Sequence, residues 1–286
     1  MVAGQKNGVI MTSDNIRKSS LAGSWYPGNP NILRTSIGDF FQRVPEELST
    51  GNIVGLVAPH AGYIYSGQVA AYAYKMLQGH VFDAVIVIGP SHRLSFRGIS
   101  IYDQGGYETP LGTVLVDSSL ADRIKSESRL VAANPSAHLR EHSIEIQLPF
   151  LQYVLGEFSF VPLLMGDQDR RTCEDLAAAI VKAVGQKKIL IVGSSDLSHF
   201  HSYDQALKLD ALALGYLEKM DAEGFLKGLE ERQFEACGGG PAAVTMMAAT
   251  TMGASSAKLL RYANSGDVTG DKQSVVGYGA AMFCTD

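Results

Sequence analysis

The sequence predicts one α/β domain, a central mostly parallel or mixed sheet with helices on both faces. Three apolar runs, residues 53–58, 84–88 and 189–192, are rich in Val and Ile, of strand length and bounded by turn formers, as strands buried on both faces are. Helix-length stretches with one apolar face separate them, the alternation of a βαβ chain. No Ser/Pro-rich or single-sign charged segment divides the 286 residues. One domain over residues 18–286 is therefore expected, preceded by a loose polar extension at residues 1–17. The 46% hydrophobic content is enough for a sizeable core.

After the extension, Gly23-Ser24-Trp25-Tyr26-Pro27 holds the only tryptophan between turn formers. Trp25 reads either as a core plug or as the rim of a pocket. A helix to about residue 41 follows, with Asn29 placed to cap it and Pro30 suited to its first position. The first strand runs into Pro59-His60-Ala61-Gly62, with Tyr63 and Tyr65 just beyond, and residues 68–77 form a helix on the sheet. The second strand ends in Gly89-Pro90-Ser91-His92. Two short strands near residues 99–102 and 113–116 flank a turn at Tyr107-Glu108-Thr109-Pro110-Leu111-Gly112, and Ser118 or Ser119 caps the next helix.

Leu139, Ile144, Leu148 and Leu151 are spaced for an amphipathic helix, broken or kinked at Pro149. On it His142 and Glu145, three apart, read as a solvated face or as a metal-ligand or ligand-orienting pair. A strand at residues 158–164 and a helix capped by Asp169 lead to the central strand, which ends in Gly193-Ser194-Ser195-Asp196-Leu197-Ser198-His199. Helices at residues 203–220 and 222–231 follow. Cys237-Gly238-Gly239-Gly240-Pro241 then opens a helix at residues 242–252, and strands at 258–263 and 275–283 close the domain.

Three of the seven histidines stand after apolar strands. Parallel strands joined by helices point the same way, so His60, His92 and His199 converge on one sheet edge, where ligands of open α/β sheets bind. If the turn after the central strand opens a helix, Asp196 lies beside His199 and orients it or shares its proton. Cys237 is either an inert buried thiol or, ahead of a helix N-terminus and beside histidines, a reactive one.

The net charge of -5 with no basic stripe argues against a nucleic-acid partner. The longest apolar runs are strand-length and the N-terminus lacks an apolar leader segment, so no membrane association and a cytoplasmic location are expected. Cys173, Cys237 and Cys284, odd in number and widely spaced, are expected to be reduced thiols.

Ala58-Pro59-His60-Ala61-Gly62-Tyr63, Gly89-Pro90-Ser91-His92, Glu141-His142-Ser143-Ile144-Glu145 and Ser194-Ser195-Asp196-Leu197-Ser198-His199 resemble, in this order, motifs of the Memo family. The segments around Trp25 and Thr109-Pro110-Leu111 fit as well, and the resemblance runs from about residue 18 to the C-terminus. It implies a fold similar to the class III extradiol dioxygenases, which use non-haem iron held by two histidines and a carboxylate. Carried over by motif, His60, His92 and Cys237 would be metal ligands for iron or copper, with zinc a further candidate. Asp196, His199 and His142 would surround them. Prokaryotic members resemble one part of a three-component system with a radical-SAM protein and an AMMECR-type protein. Eukaryotic members are described chiefly as signalling proteins whose pocket takes phosphotyrosine peptides. A cysteine in place of the dioxygenase carboxylate softens the site and argues against catechol-type ring cleavage.

Two classes of function follow. One is a metal-dependent redox enzyme or oxygenase acting on a small substrate, with His199 and Asp196 moving protons and His142 behind them. The other is a binding or metal-carrying module whose crevice captures a peptide or small ligand through Trp25, Tyr65, His60 and His199. A third reading makes Cys237 a nucleophile activated by His199 or His60. A serine hydrolase at Ser194 or Ser195 is disfavoured, because the Gly-x-Ser-x-Gly elbow is absent.

Overall fold

The computed structural model describes residues 15–46 and 51–285. Strand β1 (Ile16–Arg17) and helix α1 (Pro30–Gln42) precede β2 (Asn52–Ala58), α2 (Tyr63–Lys75) and β3 (Ala84–Pro90). Short pieces follow: β4 (Ile99–Ile101), β5 (Gly106–Thr109), β6 (Gly112–Val116), α3 (Ser118–Glu127), β7 (Val131–Ala133) and α4 (Pro135–His138). A 3-10 turn, Glu145–Gln147, leads into α5 (Leu148–Leu155), β8 (Ser159–Met165), α6 (Arg170–Val184) and β9 (Ile189–Ser194). Then come β10 (His199–His201), α7 (Tyr203–Glu218), α8 (Ala222–Glu230), α9 (Gly239–Thr251), β11 (Ser256–Asn264), α10 (Ser265–Thr269) and β12 (Val275–Thr285).

The strands lie in the order β1-β5-β6-β8-β3-β9-β2-β12-β10, with β11 on β12 and β4 between β7 and β8. The centre, β8-β3-β9-β2, is parallel, with Ile86 between Val161 and Ile191 and Leu56 opposite Val192. β12 joins antiparallel to β2, and β10 antiparallel to β12 with His199 opposite Val276. The carboxyl ends of β2, β3 and β9 and the amino end of β12 therefore share one edge.

Strand side chains alternate between two cores. Val85, Val87, Leu190 and Val192 pack with Leu33 of α1, Val69 of α2 and Phe150 of α5, while Ala84, Ile86, Ile88 and Ile191 pack with Leu120 of α3, Leu176 of α6 and Val244 of α9. Each Val, Leu or Ile buried this way contributes about 1.5–3 kcal/mol relative to exposure. The chain is thus a single α/β domain, a mixed sheet covered on both faces. No helix among the described residues is long and apolar enough to cross a membrane.

Asn29 and Asp169 cap α1 and α6 as expected. Elsewhere the details differ from the local reading. α3 is capped by Asp117, whose carboxylate accepts from Leu120 N–H, rather than by Ser118 or Ser119. The turn expected at residues 107–112 is a β5-β6 hairpin, with Glu108 opposite Thr113 and only Pro110 and Leu111 outside its strands. Residues 139–151 are not one amphipathic helix. Residues 139–144 run without regular structure, and Pro149 stands in the first turn of α5, where a missing N–H costs nothing. The expected N-terminal extension ends earlier than residue 17, because Ile16 and Arg17 pair with Gly106 and Tyr107; residues 1–14 of it lie outside the described residues.

Candidate metal centre

His60 follows β2, His92 follows β3, and Cys237 precedes α9. Each offers one ligand atom, and the three atoms lie within 4.8 Å of one another. Cys237 Sγ stands 3.1 Å from His60 Nε2. The rings of His60 and His92 are 5.1 Å apart, and the ring of His142 lies 4.4 Å from His92 and 5.3 Å from His60.

Each residue is held by neighbours from distant segments. His60 N–H donates to Asp196 Oδ1 at 2.7 Å, and its Nδ1 is 3.0 Å from Ser194 Oγ. The Glu141 carboxylate accepts from His92 N–H at 2.6 Å, lies 3.0 Å from His92 Nδ1, and takes the amides of His142 and Ser143. Burial works against its charge, but these hydrogen bonds outweigh it and hold the carboxyl well below the usual carboxylate range. An ionised carboxylate only accepts, so His92 carries its proton on Nδ1 and keeps the Nε2 lone pair for an ion.

Cys237 sits in a tight loop. Its N–H donates to Asp196 O, while the Gln168 side chain donates to Cys237 O and accepts from Gly240 N–H. Gly238 has to be glycine for space, since a Cβ there would come within 2.1 Å of Ser194 O.

The electrostatics favour neutral groups. Burial, reinforced by neighbouring imidazoles, lowers His60 and His142 to about 3. Burial raises Asp196 to about 6. Burial, then the charge of Asp196, also pushes the Cys237 thiol up, so the thiolate expected from the helix N-terminus does not form without a cation.

Neutral imidazoles and a thiol that can lose its proton make a borderline-soft donor set that fits iron, copper or zinc rather than magnesium or calcium. His142 Nδ1, outside this trio, is left unpaired. It is buried without a hydrogen bond, 3.2 Å from Glu141 Oε1 but without hydrogen-bonding geometry.

Beside these groups opens a cavity of about 410 Å³, lined among others by Trp25, Ile64, Tyr65, Asp196, His199 and Tyr278. Trp25 packs on His142 with ring centroids 4.6 Å apart. A larger hollow of about 790 Å³ beside β6 and α5 has no histidine or cysteine in its wall, so the chemistry belongs to the smaller one.

Two expected pairs are not formed as pairs. Residues 195–198 lead into β10 rather than into a helix, so Asp196 bonds the His60 amide, while His199 N–H donates to Glu235 Oε2 at 3.2 Å. Glu145 does not meet His142. It accepts from Arg17, Ser20 N–H, Leu21 N–H and Tyr26 O–H instead. The carboxylate that serves the site is Glu141, beside His142 in sequence, whereas helical spacing points three residues on to Glu145. Ser194 and Gln168 also support the site, and no local pattern in the sequence marks them.

An α/β domain with two histidines and a cysteine gathered at the carboxyl edge of its parallel strands is the class these observations define. The family model described as Memo-like protein matches residues 17–282, and the chain belongs to the Memo family. MEMO1 family proteins are similar to it throughout. The one from Methanobrevibacter smithii is 39% identical over 94% of this chain and 99% of its own, and that from Methanopyrus kandleri 38% identical over 93% and 98%. That from Thermoplasma volcanium is 37% identical over 94% and 98%. The crystal structure of an uncharacterized protein from Escherichia coli superposes with a TM-score of 0.52 at 12% identity, covering 80% of this chain and 99% of that one, a likeness of fold alone.

Proposed function

We propose that this protein is a metal-dependent oxidoreductase in which His60, His92 and Cys237 hold a single iron or copper ion. The observation that carries the reading is that these three ligand atoms, from segments far apart in sequence, lie within 4.8 Å of one another beside an open cavity. The bound ion supplies one-electron chemistry toward dioxygen or a small oxidisable substrate. Trp25 and Tyr65 form the wall against which an apolar part of the substrate rests. Asp196, raised to about 6, holds or releases a proton near neutral pH, and His199 in the same cavity accepts one.

Metal analysis of anaerobically purified protein tests this. Near-stoichiometric iron or copper that is lost in His60→Ala and Cys237→Ala, with oxygen consumption that follows metal content, supports the enzyme. Metal below a tenth of stoichiometry, or retained in both variants, overturns it.

Ile64 and Tyr65, 72% and 41% exposed at the cavity rim, favour a second reading, capture of a peptide or small ligand without turnover. No lysine or arginine lines the cavity, so a tyrosine peptide is expected to bind the metal-free protein at least as well as its phosphorylated form. Calorimetry with the two peptides separates these cases.

A further inference from the structure

We propose that Ser194 and Gln147 are positioning residues that hold His60 in one tautomer, with the proton on Nδ1 and a bare lone pair on Nε2 facing Cys237. Four buried groups form a chain of hydrogen bonds whose directions can be assigned by counting protons. Gln147 Nε2 lies 3.0 Å from Pro59 O and 2.8 Å from Ser194 Oγ, and Gln147 Oε1 lies 2.7 Å from Tyr74 Oη. Pro59 O is a carbonyl and only accepts, so the amide nitrogen must face it and also donate to Ser194 Oγ. Tyr74 then donates to Gln147 Oε1.

Ser194 has one proton to give. Its Oγ is 2.6 Å from Ser143 O, another carbonyl that can only accept, so the hydroxyl proton is committed there. What remains at Ser194 Oγ is a lone pair, and it points to His60 Nδ1 at 3.0 Å. Two lone pairs at that distance would repel, so Nδ1 carries the hydrogen and Nε2 does not.

The reversed arrangement would leave Ser143 O or Pro59 O unpaired in a buried setting. Losing such a partner disfavours the other tautomer about 5- to 150-fold. Nε2 meets Cys237 Sγ at 3.1 Å, where it accepts a hydrogen bond from the thiol in the metal-free protein. Only the value of this lock for metal capture rests on His60 being a ligand; the lock itself does not.

The probe is long-range ¹H–¹⁵N correlation NMR of metal-free, ¹⁵N-histidine-labelled full-length protein at pH 7, with the His60 signals identified by their loss in His60→Gln. The expected spectrum shows a protonated Nδ1 and an unprotonated Nε2. A protonated Nε2, or a comparable mixture of tautomers, overturns the proposal on the wild type alone, whatever any variant does. In Ser194→Ala, checked for folding by its unfolding midpoint, the Nε2–H form is expected to appear and Zn(II) affinity to fall about 10–100-fold. A Ser194→Ala protein with an unchanged tautomer and unchanged zinc affinity overturns the positioning role. If the tautomer is as stated while wild type takes up no zinc, iron or copper, the lock stands and the metal-dependent reading of the site fails.

Discussion

Cys237 Sγ lies 3.1 Å from His60 Nε2, although 177 residues separate the two in sequence. Because burial and Asp196 keep the thiol protonated, a cation must displace its proton to bind. Zn(II) affinity of the metal-free protein is therefore expected to rise about tenfold per pH unit from pH 6 to 8, and to lose that slope in Cys237→Ser, in a chelator-competition titration. The same raised thiol predicts slow alkylation of Cys237 by iodoacetamide at neutral pH, against its use as a nucleophile. A labelling midpoint below that of a free thiol, about 8.5, would sink that expectation.

Glu141 holds His92 through both its amide and its Nδ1. Glu141→Gln is expected to weaken metal binding about 10–100-fold without moving the three ligands. Its folded pKa is depressed, so its contribution to stability is present above the ordinary glutamate value of about 4.3 and is lost as pH falls below it. Denaturant unfolding should find the variant less stable than wild type at pH 7, and the gap should narrow in acid.

His138 offers a pH effect away from the cavity. It is fully buried, its Nε2 2.9 Å from Ser100 Oγ and its Nδ1 2.6 Å from Tyr107 Oη, and burial together with Arg17 lowers it to about 3. The fold excludes a proton that the unfolded chain binds below about 6.5. Stability from this group is therefore full above that pH and falls toward pH 3 by up to about 1.4 kcal/mol per pH unit. His138→Gln should remove one proton's worth of that slope in unfolding curves measured between pH 6.5 and 4.

Arg17 and Glu145 form a buried ion pair, and Arg17 also donates to the carbonyls of His138 and Glu141, joining the loop that carries Glu141 to the segment that carries Trp25. Arg17→Met alone is expected to cost about 3–5 kcal/mol, since it strands a buried carboxylate. Adding Glu145→Leu should recover only part of that loss, because the amides of Ser20 and Leu21 and the Tyr26 hydroxyl then lose their acceptor. Trp25, the single tryptophan, should report the loosened wall as a shifted emission in the Arg17 variant. An unchanged unfolding midpoint would show that the pair carries no such weight.

Gly238→Ala places a Cβ against Ser194 O and should displace the Cys237 loop. The expected result is folded protein with metal uptake reduced at least tenfold, read by metal analysis beside circular dichroism.

Strand-length apolar runs and their polar endings are local features, so β2, β3 and β9, their common edge and the gathering of His60 and His92 are legible in the residues alone. Gly238, just after Cys237, answers a need for space beside Ser194 rather than for an unusual backbone angle. The partner of each side chain is not legible. Glu141 rather than Glu145 faces the site, because residues 139–144 are irregular and helical spacing has no meaning there. Arg17 reaches Glu145 across 128 residues, and Asp196 serves the His60 amide rather than His199. The sequence by itself determined the strands, their order of polar endings and the residue types at the edge, since these follow from strand-length apolar runs and from turn chemistry. Only the tertiary structure decided which lone pair faces the cavity and which carboxylate stays charged, because both depend on hydrogen-bond donors and acceptors brought together from distant segments inside a low-dielectric core.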